Sequence, residues 1–441
     1  VGRLGVVVAA IELELNSRHL IYYQGEYGTY QGGNCILSIV SIVKRQERSV
    51  LSAVREAVEL AGGLGEIITR RTRVLVKPNL VTPTESGTGI ITDSRVTEAV
   101  CTLVLEQHPA RVVIGEGAGY GYDVTGARAD TLDAFTRSGT SVVADRLGID
   151  YSDFNRDDAV DVPIPGCYVM DRVKIAKTAV ESDVIISVPV LKTHRRTIVT
   201  LSLKNMKGVM PSREKRKTHQ LGLERAIVDL NTVVKPDFTV VDGLVGLGGL
   251  WEGEDAEDMN LILAGRDPVA VDAVGARVMG FDPSRILMLE LAEERGLGTL
   301  DMTRIETRGE HPAAVAKRFI DPQRALAQRY PGLRLVDEQS CTACEGELQS
   351  PLFYIREAGY VDHLDDLTVL MGPQRNPPPV TEKTVVMGRC VHEYRDHGIF
   401  VPGCPPRGWA LTEALCDACG IDKDAIIAAI ENIHGDVREI R

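Results

Sequence analysis

Apolar residues along this chain come in two rhythms. Nearly continuous runs, LSIVSIVK (37–44), RVLVKPNL (73–80), RVVIGEGA (111–118), DVIISVPVLKTH (183–194) and DFTVVDGLVGL (237–247), each stop at a polar or glycine-rich turn. Such runs predict strands buried on both faces. Between them, SVLSAVREAVELAGGL (49–64) and DSRVTEAVCTLVLEQ (93–107) place apolar residues three and four apart. That spacing predicts amphipathic helices, the second capped by Asp93 or Ser94. Asp267 before Pro268 predicts another capped start, with proline at the first helical position.

Strands alternating with helices predict an α/β fold with a large, mostly parallel sheet. In such sheets ligands gather at the carboxyl ends of strands. That edge would hold KPN (77–79), GEG (115–117), LKTH (191–194) and VDG (241–243). After residue 332 the runs restart as LRLVDEQSCTACEGEL (333–348), DLTVLMGP (366–373) and KTVVMGRC (383–390), predicting a second, smaller α/β unit. The expected organisation is an N-terminal appendage over 1–36, a large domain over 37–307, a polar linker with three prolines over 308–332, and a small domain over 333–441.

Composition narrows the class. The 441 residues are 44% hydrophobic and 25% charged, as in globular proteins, and the formal net charge is −12. That charge, with aromatic residues at 5%, argues against nucleic acid or an anionic membrane surface as partner. No apolar run reaches membrane-spanning length and no leader is recognised at the start, so a cytoplasmic protein is expected.

One segment reverses the charge. Residues 191–217, LKTHRRTIVTLSLKNMKGVMPSREKRK, carry nine Lys or Arg against one acid, Glu214. Cations at strand ends beside low-dielectric walls concentrate carboxylates or phosphates. Lys77, Asn79, Lys192, His194, Lys204, Asn205, Lys207 and His219 are therefore expected to bind an anionic small molecule. His194, Lys192 and Lys204 are the candidates for proton transfer. The stretch SREKRKTH by itself reads as a solvated basic loop. GEGAGYGYD (115–123) carries Tyr120 where a dinucleotide loop needs its last glycine, so it reads as a tight turn.

VLVKPNLV, TDSRVTEAV, VPVLKTHRRTIVTLSLKNMKG, FTVVDGLVGL and LAGRDPVAVDAVGARVMG, in this order, resemble the family called domain of unknown function 362 over roughly residues 37–295. The resemblance places Lys77, Asn79, Lys192, His194, Lys204, Asn205 and His219 in motif positions and implies no particular activity. Many members of that family are associated with iron–sulfur modules. The consecutive ferredoxin-type cysteine run is absent here.

Six of nine cysteines fall between 341 and 419. Clustering in a chain with no disulfide scaffold favours metal or redox chemistry. Cys341 and Cys344 form one short pair, whereas Cys390 and Cys404 stand apart, each near a glycine. A 4Fe–4S cluster and a zinc ion both remain open on residue type. The set CTACEGEL, GRC and VPGCPP resembles the proximal-cluster domain of nickel–iron hydrogenase small subunits, which is flavodoxin-like. That resemblance implies a 4Fe–4S cluster held by Cys341, Cys344, Cys390 and Cys404. Cys416 and Cys419 read as core residues, and His392 and His397 as loop residues. The whole predicts an anaerobic iron–sulfur oxidoreductase or electron-transfer protein, served by a redox partner. The alternatives are a lyase or isomerase of a carboxylate, and a non-enzymatic binding or assembly module.

Overall fold

The computed structural model describes residues 37–119, 130–250, 253–337, 340, 342–374 and 383–434. The expected appendage, Cys341 and Tyr120 lie outside them. In the large unit the strands are β1 (Ser38–Lys44), β2 (Arg73–Pro78), β3 (Arg111–Glu116), β4 (Asp150–Asp153), β5 (Ala159–Pro163), β6 (Arg172–Ala176), β7 (Val184–Val188), β8 (Val190–His194), β9 (Ile198–Thr200), β10 (Phe238–Leu247), β11 (Ala256–Gly265) and β12 (Ile305–Gly309). The main sheet runs β12-β1-β11-β10-β7-β2-β3-β4, with β8 pairing β10 and β9 pairing β8. Strands β10, β7, β2, β3 and β4 are mutually parallel, as are β1 and β12. Strand β11 runs antiparallel to both of its neighbours. The mostly parallel α/β architecture expected from the apolar runs is therefore present.

Period-two burial explains why those runs are continuous. Val74, Val76 and Ile114 enter the core on one face, while Leu75, Val113 and Ile185 enter another on the opposite face. Both faces are dry, so alternation of polar with apolar residues disappears. Helix starts follow local chemistry. Ser49 caps Val50–Leu60, Asp93 caps Ser94–Leu105, and Asp267 caps Pro268–Val278 with both first-turn amides on its carboxylate.

The small unit is a four-stranded parallel sheet, β13 (Arg334–Asp337), β14 (Thr368–Met371), β15 (Thr384–Met387) and β16 (Ile399–Val401), in chain order. Helix Thr342–Glu357 follows β13, and Gly408–Cys419 follows β16. Cys416 and Cys419 are buried in this unit's core with Leu348, Leu411 and Leu415.

The polar stretch 308–332 is itself folded. It contains helices Pro312–Val315 and Pro322–Arg329. Phe319 sinks into the large unit's core, and Leu326 and Tyr330 into that of the small unit. Polar composition there reflects short surface helices rather than a free tether. Among the described residues, no helix is long and apolar enough to cross a membrane.

Candidate functional site

Strands β2, β3 and β8 deliver their last residues to one edge of the main sheet. Lys77 from β2 and Glu116 from β3 meet there at 2.7 Å, with side chains 0% and 3% exposed. Burial lowers the proton affinity of Lys77, and the Glu116 carboxylate opposes that shift. Both partners make further bonds: Gly117 N–H donates to Glu116 Oε1 at 2.8 Å, and Lys77 Nζ also donates to Asn205 Oδ1 at 3.3 Å. Gly208 roofs the pair. Any Cβ at that position would overlap the Glu116 carboxylate and the Lys77 ammonium.

Asn205 ties three strand-end groups together. Its amide nitrogen donates to Lys77 O at 3.1 Å and Ser187 Oγ at 2.9 Å, while its oxygen accepts from Asn79 Nδ2 at 3.1 Å. Asn79 Oδ1 in turn accepts from Lys192 Nζ at 2.9 Å. The short helix Ser202–Asn205 that carries Lys204 and Asn205 is held by Asp272, which accepts from Ser202 N at 2.7 Å and Leu203 N at 3.1 Å. Burial pushes Asp272 up to about 8, against those two amides.

Lys192, His194, Lys204, Lys207 and His219 share one cleft. Each is only partly open or nearly closed to solvent. Lys192 is brought down to about 7, first by burial and then by the charge of Lys204. Burial alone lowers Lys204 to about 8. Lys207 and His219 contact one another, Nζ to Nε2, at 2.7 Å, and burial lowers both. His194 is lowered well below its usual range by burial, then by Lys204, His219, Lys207 and Lys192. Its Nδ1 accepts from the backbone amides of Arg196 at 3.2 Å and Thr197 at 3.3 Å. All eight anion-binding residues expected from the sequence therefore converge, Lys77, Asn79 and Asn205 as the floor and the other five as the wall.

Three contributors have no such forecast. Glu116 is expected at this edge with GEG but without a role, since it reads as part of a glycine turn and its partner is 39 residues away. Asp272 reads as a helix residue. Lys215 belongs to the stretch expected to be a solvated loop, yet Ser212–Leu221 is a helix that buries Glu214, Lys215, Thr218 and His219. Lys215 Nζ donates to the carbonyls of Gly117 and Ala118. The local signal for it is the i, i+4 spacing of Lys215 and His219, which puts both on one helix face.

The cysteine loops gather at the carboxyl ends of the small sheet. Cys344 lies in helix Thr342–Glu357 after β13, Cys390 follows β15, and Cys404 follows β16. Gly388, at φ +102°, brings its backbone against Cys344: a Cβ there would stand 3.5 Å from the Cys344 Sγ. Arg389 N donates to Gly403 O at 2.8 Å, which pins the Cys390 and Cys404 loops to each other. Cys344 is buried and Cys390 exposed. Soft thiols on converging glycine loops fit an iron–sulfur or zinc group in donor type and loop placement. Among the described residues, no group of three or more His, Cys, Asp or Glu is drawn close enough to hold a metal ion, and Cys341 lies outside them. His392 is exposed and stacks edge-on with Phe400, and His397 does so with Tyr394.

The cleft and the cysteine loops share a wall. Gln220, next to His219 at the end of helix Ser212–Leu221, donates from Nε2 to Cys404 Sγ at 3.4 Å. Arg195, next to His194, stands 3.8 Å from Asp337 and 3.6 Å from Glu345 of the small unit. A cavity of about 400 Å³ opens along this seam, with Arg195, Tyr330, Asp337 and Glu345 in its lining.

The chain overlaps the lactate racemase apoprotein of Thermoanaerobacterium thermosaccharolyticum over 90% of its own length and 83% of that protein, with 12% identity and a TM-score of 0.39. That likeness is too loose to transfer any property. It is 28% identical over 278 residues, 58% of this chain and 79% of the relative, to the thylakoid-associated protein sll1697 of Synechocystis sp.. Residues 74–277 match the family described as domain of unknown function (DUF362), so every residue of the cleft, from Lys77 to His219, falls inside that match and the cysteine loops fall beyond it.

Proposed function

We propose that the cleft binds a small anion, and that Cys341, Cys344, Cys390 and Cys404 hold a 4Fe–4S cluster beside it, making the protein an iron–sulfur oxidoreductase or electron-transfer protein. The observation that carries this reading is the Gln220–Cys404 contact, which sets a thiol loop one residue from the cationic wall. An anion entering the cleft replaces the mutual repulsion of Lys192 and Lys204 with attraction, in a setting where charges are weakly screened. Lys192 arrives already oriented by Asn79, and Lys204 by the Asp272-capped helix, so little ordering is left to be done on binding. When bound, such a cluster supplies one-electron transfer or a Lewis-acidic iron, and a single cluster calls for a redox partner protein to complete a two-electron change.

Lysines held near neutral proton affinity also suit proton abstraction next to a carboxylate, which favours the lyase or isomerase reading as the second choice. Anoxic purification with iron and sulfide analysis, followed by EPR of the reduced protein, separates these readings. The expected result is about four irons and four sulfides per chain, lost in Cys390→Ser and Cys404→Ser. Zinc in place of iron, or an intact cluster in both variants, overturns the ligand assignment. A cluster that is never reduced or oxidised during turnover selects the non-redox reading.

A further inference from the structure

His194 is the residue whose hydrogen bonds say most about its chemistry. The turn after β8 folds back so that two successive amides, Arg196 N and Thr197 N, both aim at its Nδ1, at 3.2 and 3.3 Å. An imidazole nitrogen that accepts has no proton, so the single proton of the neutral ring must sit on Nε2. Both other states of the ring conflict with the turn. The opposite tautomer and the imidazolium each place an N–H at Nδ1, pointing it into two N–H donors. Either one would take this acceptor away from both backbone amides, of which Thr197 N is partly buried and Arg196 N open to solvent.

The surroundings act in the same direction. Lys192 comes from the same strand, Lys204 from helix Ser202–Asn205, Lys207 from the following turn and His219 from helix Ser212–Leu221, and their charges all oppose a further cation at residue 194. Arg195 and Arg196 on the adjoining turn are engaged elsewhere, Arg195 with the small unit's Asp337 and Glu345 and Arg196 with Glu224.

We propose that His194 serves the cleft as a neutral hydrogen-bond donor, presenting Nε2–H to an oxygen of the bound anion, and is not the base that removes a proton. A base would need a lone pair at Nε2, and that lone pair exists only in the tautomer the turn disfavours. A neutral donor instead polarises a carbonyl or carboxylate oxygen and stabilises charge gathering there, without adding a full charge to an already cationic cleft. Proton transfer then falls to an amine, Lys192 or Lys204, neither of which donates to a carboxylate.

The ligand half of this proposal rests on the cleft binding an anion; the ring state does not. Nitrogen-15 NMR of histidine-labelled protein, without ligand, reads the ring directly between pH 6 and 8. The His194 signals are assigned by their loss in His194→Gln, or by contacts to Thr193 if that variant does not fold. The expected pattern is an acceptor-type Nδ1 and a protonated Nε2, unchanged across the range. An imidazolium at pH 6, or a proton on Nδ1, overturns the proposal. Titration with sulfate then tests the donor. The Nε2 signal should move on saturation, while a signal that stays put when sulfate demonstrably binds refutes the contact. Absence of any sulfate binding would instead remove the anion-cleft reading together with the donor contact, and leave only the tautomer standing.

Discussion

Lys77 and Glu116 form an ion pair at 2.7 Å that water scarcely reaches, directly beneath the backbone of Gly208. Two charges in such a place tolerate each other only while both are present. Replacing one strands the other in a medium that cannot solvate it.

Lys77→Met is therefore expected to cost about 3–5 kcal/mol in urea unfolding. The double variant Lys77→Met/Glu116→Leu should recover a large part of that loss, since a well-packed apolar pair of similar volume avoids the stranded carboxylate. Additive losses in the double variant would show that the pair is not the source of the cost. The single variant Glu116→Leu completes the cycle, since Lys77 also donates to Asn205 and Glu116 also accepts from Gly117 N, and the coupling term removes those separate losses.

Anion affinity should fall as pH rises. Lys192, at about 7, and Lys204, at about 8, are charged below those values and lose their protons above them. Both lie below the value of a lysine in the unfolded chain, so between about pH 7 and 10 the unliganded fold holds fewer protons than the unfolded chain. For these two amines alone, unliganded stability rises with pH while anion binding weakens. Sulfate keeps its charge over this range, and calorimetry should show its affinity dropping roughly tenfold or more between pH 6 and 9. A flat profile would mean that these amines do not hold the anion.

Asp272 reaches the cleft at second hand, through the two amides it accepts at the start of the Lys204 helix. Asp272→Asn offers one acceptor where there were two, and should cost about 1–2 kcal/mol, as lost caps do. It should also weaken sulfate binding although residue 272 touches no ligand, because the helix that aims Lys204 loses its anchor. Unchanged sulfate affinity in a folded, destabilised variant would confine Asp272 to stability.

The parts of this site that were readable from sequence are those with a local cause. Lys77, Asn79 and Lys192 follow buried apolar runs, and a parallel sheet brings strand ends to one edge, whatever the order of the strands. Asp267 is legible because an acid before proline is a helix start in almost any context. For Glu116 the strand-end place was legible but the role was not: what makes it important is Lys77, joined to it only by the pairing of β2 with β3. Lys215 was masked by its neighbours. Arg213 and Lys217 are exposed and give the segment the look of a solvated loop, while Lys215 turns inward onto carbonyls. Charge counting cannot distinguish a lysine that faces solvent from one that pins a backbone.

His194 and Arg195 are adjacent, yet one belongs to the cleft and the other to the seam against Asp337 and Glu345. A protein cut after residue 332 would keep every cleft lysine and remove both carboxylates that engage Arg195. The turn that sets the tautomer of His194 would then carry an unbalanced guanidinium on its outer side. The small unit is thus no detachable accessory: the chemistry of the large unit is written partly in residues that lie after its own last strand, and shuffling the two as independent modules would change the site even if both still folded.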